Sequence, residues 1–419
     1  MSSPLAIHGG TPVIDQPAPH LQWPPITDST TAAIVEQLHR AVSLPDRSGV
    51  VAELEERLAD YFGVRRAVLT SSGTAALHSA FAALQLGAGA EVIVPAYTFH
   101  ATATPLLHLG ARPVLIDCDT SGNLDPALVE AAITSATRAI VVTHMWGLPA
   151  QVEALSKIAA RYDLDLIEDG SHAHGASVNG RMVGTFGRVS AFSMNGPKTL
   201  SAGEGGFVLT DDDDVYYRVL LHGQYNKRCR NEIPASHPLH RFAVTGSGLK
   251  LRIHPLAAAL ALDQLESLDA WLEHRRRNAE QMIAQLRELP GIAVPEVSEA
   301  SAPSWYALPV LYQPEDAGGL PVAALVRALH AEGCLEVDQP GSTRPLHEHP
   351  LFSEEASVLF PDLSKPPKLG SSDFPQAVRI HRHTLKLPVP HVSGTPLDSY
   401  ADAFSKVINN RHHLMEDPH

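Results

Sequence analysis

Basic residues and cysteines are scarce in this chain of 419 residues. Lys and Arg together number 32 against 46 Asp and Glu, so the formal net charge is −14. This acidic balance argues against nucleic acid or an anionic membrane surface as the main partner, because both attract basic proteins. The three cysteines, Cys118, Cys229 and Cys334, are too scattered for a disulfide framework or a zinc ribbon.

Signals for membrane insertion and export are missing as well. The sequence has no uncharged apolar stretch of about 18 residues or more, so no membrane-spanning helix is expected. The first residues have neither the basic start nor the apolar core of a signal peptide. With 44% hydrophobic and 19% charged residues, the composition is that of a well-cored globular protein. We therefore expect a cytoplasmic protein with reduced thiols.

The length exceeds what one ordinary hydrophobic core occupies, so a large and a smaller domain are expected. Residues 1–50 are rich in proline and show little periodicity, which predicts an N-terminal arm that wraps another surface. Residues 51–255 are expected to form the large domain, and residues 256–289 one long linking helix. Residues 290–419 mix strand-like and helical segments, which predicts a small C-terminal α+β domain.

Apolar strand-like segments alternate with helical segments from residue 64 to residue 170. Such alternation predicts an α/β fold in which helices cover both faces of a mainly parallel sheet. Two more short strands, at 188–195 and 205–211, follow with no helix between them. That spacing leaves room for one antiparallel pairing in the sheet.

A turn of small residues, Ser71 to Thr74, separates the first strand of this pattern from a helix. The free N–H groups and the positive dipole at a helix N-terminus suit a phosphate, although Ser-Gly-Thr is also an ordinary helix cap. The turn lacks the G-x-G-x-x-G spacing and the lysine of a P-loop, which disfavours a dinucleotide or an NTPase site.

Two further polar residues follow apolar strands. Asp169 ends the strand 164–169, at the edge where open α/β sheets bind ligands. A carboxylate there can hold a protonated ring nitrogen, or it can serve as a helix cap. Lys198 lies in a segment of small residues, 192–206, where it is either a lysine that forms a Schiff base or an ordinary surface lysine. Together with the phosphate turn, these residues are the parts that pyridoxal 5′-phosphate requires.

Several motifs also resemble those of the DegT/DnrJ/EryC1/StrS family of sugar aminotransferases. They are SGTAAL (72–77), VPAYTFHAT (94–102), GARPVLIDCD (110–119), EDGSHAHGA (168–176), FSMNGPKTLSAGEGG (192–206) and RPLHEHPLF (344–352). The resemblance runs from about residue 5 to about residue 405. It implies a fold type I architecture with a mainly parallel seven-stranded sheet, pyridoxal 5′-phosphate as cofactor, and a homodimer with shared active sites.

The resemblance assigns cofactor contacts by position. Lys198 looks like the lysine that binds the cofactor covalently, five residues after Ser193. Ser193 looks like a phosphate ligand, together with Gly73 and Thr74. Asp169 looks like the partner of the pyridine nitrogen.

Other positions carry less common residues. His172 stands where many members have Gln near the ring hydroxyl. Phe99 corresponds to the aromatic residue that stacks on the ring, with Tyr97 as the alternative. Lys250 replaces the Asn that reaches the partner subunit's phosphate, and Asn195 stands where the family usually has His or Gln near the substrate.

The resemblance implies an enzyme that moves an amino group from L-glutamine or L-glutamate to the keto group of a sugar or cyclitol. The pathway would be that of an antibiotic or a cell-surface sugar, and Tyr225 and His347 are further substrate candidates. The alternative is a dehydratase or other carbon–nitrogen chemistry on the same fold. Lys198 favours amino transfer, because dehydrating relatives replace it with His. No metal is expected, since the histidine pairs at 347/349 and 381/383 lack completing ligands.

Overall fold

The computed structural model describes residues 4–15, 23–361, 367–392 and 397–415. The helices of these ranges are α1 Asp28–Arg40, α2 Gly49–Phe62, α3 Gly73–Ala83, α4 Thr104–Leu109, α5 Pro126–Val129, α6 Val152–Arg161, α7 Asp213–Gly223, α8 Lys227–Glu232, α9 Pro255–Leu286, α10 Val322–Ala331, α11 Pro375–His383, α12 Leu397–Asn409 and α13 Arg411–Met415. The strands are β1 Arg66–Thr70, β2 Glu91–Pro95, β3 Tyr97–Phe99, β4 Arg112–Ile116, β5 Thr137–Thr143, β6 Asp165–Asp169, β7 Ser177–Val178, β8 Arg181–Met182, β9 Val189–Ser193, β10 Gly206–Thr210, β11 Ile292–Ala293, β12 Ser301–Ala302, β13 Leu308–Tyr312, β14 Thr343–Pro345 and β15 Thr384–Leu387.

The main sheet has, within the described ranges, seven strands in the order β1-β10-β9-β6-β5-β2-β4. Strands β9, β6, β5, β2 and β4 pair in parallel. Strand β10 pairs antiparallel with both β1 and β9, so β1 runs in the same direction as β9. The predicted α/β fold with a mainly parallel seven-stranded sheet is confirmed, and so is the antiparallel strand.

Helices cover both faces of this sheet because its central strands are apolar on both sides. On β2, Val92 and Val94 face a core shared with α3 and α7, whereas Ile93 faces a core shared with α6. This division follows from the two-residue period of a strand. A third core joins α2 and α9 to β1, β9 and β10. The strands therefore read as continuous apolar runs, as parallel strands buried on both faces do.

A separate hydrophobic core lies towards the C-terminus. It joins the sheet β11-β13-β15 to α10, α12 and the last turns of α9, and we call it the C-terminal core. Helix α9 was expected as one long element, and it is continuous from Pro255 to Leu286. It begins with Pro at its first position, where a missing N–H costs no hydrogen bond. The domain boundaries inferred from the sequence stay predictions.

The N-terminal segment was expected as an arm that wraps another surface, and the structure adds a helix that the sequence did not predict. It contains helix α1, which begins with a capping box between Thr27 and Thr30 and packs on α9. The Thr30 hydroxyl also donates to Asp263 of α9 at 2.6 Å. Leu5 is buried in the C-terminal core. The proline-rich flanks hid a helix that its packing stabilises, and residues 16–22 of the predicted arm lie outside the described residues.

A buried ion pair joins α2 to α8. The two Nη atoms of Arg228 donate to the two carboxylate oxygens of Glu55, both at 2.8 Å. The same carboxylate accepts from the Leu69 N–H at 2.9 Å and from Arg47 Nε at 3.0 Å. The charges are thus paired and hydrogen-bonded, which a buried ion pair requires.

Among the helices of the described ranges, none has the length and hydropathy that crossing a bilayer demands.

We expect Arg228→Met to lower the free energy of unfolding by about 3 kcal/mol, because the Glu55 carboxylate loses its main partner while staying buried. Urea denaturation at a fixed protein concentration measures the loss. Arg230→Met, at an exposed position of the same helix, is the control and should change stability by less than about 0.5 kcal/mol. Equal losses in the two variants would contradict the importance of the pair.

Candidate active site

Polar residues at one edge of the main sheet end or follow strands that run in one direction. Thr143 ends β5, Asp169 ends β6 and Ser193 ends β9, and the turn at Ser72 follows β1. Because these strands point the same way, their carboxyl ends meet at one edge of the sheet, where open α/β folds bind ligands.

A cavity of about 480 Å³ opens at this edge. That volume is within the usual range for a small-molecule site. The large domain contributes to its lining Ser72, Gly73, Thr74, Phe99, Thr102, Thr143, Trp146, Asp169, His172, Ser193, Asn195, Lys198 and Glu204. The C-terminal part of the chain contributes Tyr306, residues 338–343 and Lys386.

The turn after β1 lies directly against the end of β9. A Cβ atom on Gly73 would lie 2.5 Å from the Cβ of Ser193, so only glycine permits this approach. The Ser72 hydroxyl accepts from the Ala75 N–H at 3.1 Å and caps α3. The first N–H groups of a helix have no partner within the helix. The turn is therefore a helix cap that also presents backbone donors to the cavity beside Ser193.

Asp169 is buried, and its carboxylate is held from two sides. The Thr102 hydroxyl donates to one oxygen at 2.8 Å, and the Ser171 N–H donates to the other at 3.1 Å. Thr102 is oriented in turn by Thr98, with the two hydroxyl oxygens 2.8 Å apart. This network fixes the carboxylate in the wall of the cavity, where it can accept a further hydrogen bond from a ligand.

Burial lowers the pKa of Lys198 to about 8, although the negative charge of Asp169 acts in the opposite direction. The ammonium lies 4.8 Å from the ring centroid of Tyr306. The backbone is fixed too, because the Trp23 indole N–H donates to the Lys198 carbonyl at 2.8 Å. A held amine that loses its proton near neutral pH suits a covalent or proton-transfer role.

His172 belongs to a cluster of three stacked aromatic rings on one wall of the cavity. Its ring is parallel to that of Tyr306, with centroids 4.2 Å apart, and the Trp146 ring lies 5.9 Å from His172 and 6.3 Å from Tyr306. Burial, followed by the charge of Lys198, lowers the pKa of His172 well below its usual value. The ring is therefore neutral at pH 7. The Ser304 hydroxyl donates to the His172 carbonyl at 2.9 Å and so fixes the segment that carries Tyr306.

The other predicted residues do not all reach the cavity. Phe99 lines it and is 39% exposed, and Asn195 lines it while donating to Glu204 at 2.9 Å. Tyr97 is 0% exposed, belongs to an apolar cluster and lies outside the cavity lining, so its place beside a ligand ring stays a prediction. Tyr97 and Phe99 lie in a strand of only three residues. The segments that pack against this strand, and not its own sequence, decide which of the two rings is buried.

Three predicted residues lie outside the lining of this cavity. Tyr225 is half-buried beside Gly246, and His347 packs on Phe374 with ring centroids 4.8 Å apart. Burial lowers the pKa of His347. Lys250 is exposed, next to Leu251, whose carbonyl accepts from the Ser71 N–H at 2.7 Å. A single chain does not bring these side chains into the site, so their roles stay predictions about the assembled protein.

Comparison with known proteins agrees with this geometry. The model of the DegT/DnrJ/EryC1/StrS aminotransferase family matches residues 27–398. The chain belongs to this family. It is 35% identical to an L-glutamine:scyllo-inosose aminotransferase of Streptomyces griseus, over 98% of this chain and 99% of that protein. It is also 35% identical to an L-glutamine:2-deoxy-scyllo-inosose aminotransferase of Streptomyces kanamyceticus, over 98% of both chains.

Solved structures of the family share the whole architecture. The crystal structure of 3-amino-5-hydroxybenzoic acid synthase superposes with a TM-score of 0.80 at 25% identity, over 95% of this chain and all of that one. As an aminotransferase, the protein acts on a small-molecule amino donor and a keto acceptor. Amino transfer thus replaces the dehydratase alternative as the class of reaction.

No group of three or more His, Cys, Asp or Glu suited to a metal occurs in the part of the chain that the structure describes.

The sequence did not reveal several residues of this aminotransferase site. Trp23, Tyr306 and Lys386 are brought to it from the N-terminal segment and from the C-terminal part of the chain. Glu204 lies in the motif around Lys198 and could have been found there, since it is the one acidic residue of that segment. For the other three residues the sequence carries no local signal, because only the packing of distant segments places them.

We expect Lys198 to be acylated with a midpoint near pH 8, because only the neutral amine reacts and burial makes its proton easier to lose. Competitive labelling of the ligand-free protein with acetic anhydride between about pH 6 and about pH 11, followed by peptide mass spectrometry, gives the midpoint for Lys198. Exposed Lys157 is labelled in the same reaction and serves as the internal reference for the reagent. A midpoint for Lys198 at about 10.4, the ordinary value of a lysine, would contradict the buried site.

Proposed function

We propose that this aminotransferase uses pyridoxal 5′-phosphate to move the amino group of L-glutamine to the keto group of a cyclitol related to scyllo-inosose. The observation that carries the proposal is the meeting of Lys198, Asp169 and the turn at Gly73 in one cavity. The names of the two Streptomyces relatives supply the donor and the acceptor class. L-Glutamate as donor and a keto sugar as acceptor are the nearest alternatives.

The cavity residues fit this cofactor in chemistry. The turn at Gly73 and Thr74 offers backbone donors and a helix N-terminus to the phosphate, with the Ser193 hydroxyl beside them. Asp169 offers an anchored carboxylate to the ring nitrogen. The Thr143 hydroxyl lines the cavity, is buried and has no partner among the described residues, so a polar ligand would satisfy it.

Each residue has a defined task under this proposal. When bound, the cofactor supplies an electron-accepting ring that stabilises charge at the substrate carbon. Asp169 keeps the ring nitrogen protonated, and Phe99 covers the ring. Lys198 would hold the cofactor covalently. Its Nζ would also be the proton carrier, taking the proton from the donor α-carbon as a general base and returning that proton as a general acid.

The wall around Lys198 also serves this chemistry. His172 is neutral, so it adds no positive charge beside the amine and can donate or accept one hydrogen bond near the ring hydroxyl. The Trp23 indole fixes the Lys198 backbone at 2.8 Å, which limits the positions that Nζ reaches. Asn195 and Glu204 present an amide and a carboxylate at the open side, and such groups suit the hydroxyls of a cyclitol.

We expect Lys198→Ala to abolish conversion of 2-deoxy-scyllo-inosose to its amino product while the protein stays folded. The reason is that the covalent attachment and the proton carrier are lost together. Product formation from L-glutamine is followed by mass spectrometry, and folding by circular dichroism. Lys157→Ala, at an exposed position of α6, is the matched control and should keep full activity. Near wild-type turnover in Lys198→Ala would refute the assignment.

We also propose that the protein works as a homodimer and that Lys250 contacts the cofactor phosphate of the partner subunit. Support comes from its position in the family motif and from its exposure outside its own cavity. An ammonium can form a charge-assisted hydrogen bond to a phosphate in place of an amide.

Under this proposal, Lys250→Ala should weaken cofactor affinity by about 1.5–3 kcal/mol, the usual contribution of a hydrogen bond to a charged group. Inactive Lys198→Ala subunits mixed with Lys250→Ala subunits should then regain activity, because a mixed dimer contains one intact site. Fluorescence titration with the cofactor and an activity assay of the mixture measure both effects. Unchanged affinity, together with a monomer in solution, would rule out the shared site.

A further inference from the structure

Lys386 is a cationic residue in the cavity wall that the cofactor chemistry does not use. It lies in β15 between Leu385 and Leu387, both 0% exposed in the C-terminal core. Side chains alternate along a strand, so Lys386 points to the opposite face, which borders the cavity. Its backbone is fixed between two neighbours, because it pairs with Pro309 of β13 and its N–H donates to the Asp338 carbonyl at 2.7 Å.

The Lys386 ammonium has no acidic partner among the residues that the structure describes. Within the described ranges, no ion pair and no side-chain hydrogen bond involves its Nζ. Three acidic residues line the same cavity: Asp169 is held by Thr102 and Ser171, and Glu204 is held by Asn195. The third, exposed Asp338, pairs with Lys386 through the backbone, but its carboxylate forms no ion pair with the ammonium. The charge of Lys386 reaches far enough into the site to contribute to the lowered pKa of His172. A half-buried cation without a partner favours an anionic ligand.

The substrates differ in the anion that they can offer. An amino donor such as L-glutamine or L-glutamate carries an α-carboxylate next to the nitrogen that is transferred. A cyclitol acceptor offers hydroxyl groups instead, and the cofactor phosphate is assigned to the turn at Gly73 on the large domain. Lys198 and Lys386 line the same cavity, so a donor whose nitrogen is at Lys198 has its carboxylate within the space that Lys386 borders.

We propose that Lys386 binds the α-carboxylate of the amino donor, an inference that rests on the aminotransferase function proposed above. The ammonium then serves only the half of the reaction in which the donor is bound. It selects α-amino acids over other amines, whichever of glutamine and glutamate is used. The acceptor half of the reaction does not depend on it.

The test compares the two half-reactions in the protein loaded with pyridoxal 5′-phosphate. In Lys386→Met, the L-glutamine concentration that half-saturates the donor half-reaction should rise about 10- to 100-fold, the range of a lost hydrogen bond to a charged group. The maximal rate should change little, and Lys386→Arg should restore much of the affinity. In the acceptor half-reaction of the aminated enzyme, the half-saturating acceptor concentration and the maximal rate should both stay unchanged. Lys157→Met is the control for loss of an exposed lysine.

A second arm changes the ligand instead of the protein. L-Glutamine whose α-carboxylate is replaced by a carboxamide should be a weaker amino donor for the wild type. The rise in the half-saturating concentration should be about as large as the rise that Lys386→Met causes with L-glutamine itself. Lys386→Met should use L-glutamine and its carboxamide about equally well, because this variant already lacks the contact between the ammonium and the carboxylate. Equal discrimination by wild type and variant would overturn the proposal, and so would weakening confined to the acceptor half-reaction.

The failure of this inference is distinguishable from failure of the proposed function. A wild type that is aminated by L-glutamine, with a variant whose donor saturation is unchanged, overturns the role of Lys386 alone. A wild type that no α-amino acid converts overturns the proposed function itself. If Lys386→Met does not fold, Lys386→Gln keeps a polar end at the same position and gives the same comparison of donors.

Discussion

The shared direction of the strands is the constraint on which the site depends. Strands β1, β9, β6 and β5 end at one edge, so the residues that follow them meet even though they are far apart in the chain. One of these meetings is between Gly73 and Ser193, where no side chain larger than hydrogen fits. This approach joins the N-terminus of α3 to the segment that carries Lys198. The proposed anion site and the Lys198 amine are thereby both held next to the ends of sheet strands.

Two opposing electrostatic effects define the chemistry at Lys198. Burial removes water from the amine and lowers its pKa to about 8, while the carboxylate of Asp169 favours the charged form. Burial has the larger effect, so the amine exchanges its proton within reach of neutral pH. Neutral His172 belongs to the same balance, because a second positive charge there would lower the pKa of the amine further. His172 therefore adds no positive charge that would compete with the Lys198 amine.

The parts of the fold and site that follow from local sequence could be predicted. Apolar runs with small-residue turns located the parallel strands, and the ends of those strands located Asp169 and Lys198. Helix α1 could not be predicted, since its proline-rich flanks hid a short helix that its packing on α9 stabilises. The burial of Tyr97 was missed as well, because the segments that cover a three-residue strand come from elsewhere in the chain.

Tyr306 shows why the rest of the site needed the structure. Its neighbour Trp305 has a backbone φ of +51°, and Ser304 is hydrogen-bonded to both Gly147 and His172. These contacts bring the segment before β13 against the turns after β5 and β6. They set the Tyr306 ring parallel to His172 and below the Lys198 ammonium. Such a position is determined by tertiary packing and leaves no periodic signal in the sequence.

The Trp23 contacts extend this dependence to the N-terminal segment. The indole N–H donates to the Lys198 carbonyl, and the ring lies 4.6 Å from the guanidinium carbon of Arg275 on α9. Arg275 in turn donates to the Trp305 carbonyl at 2.9 Å, one residue before Tyr306. The backbone of the reactive lysine and the ring beneath its amine are thus connected through one buried arginine. Lys198 and Asp169 come from the main sheet and its loops, and the N-terminal segment and long helix α9 connect them to the wall formed by the C-terminal part of the chain.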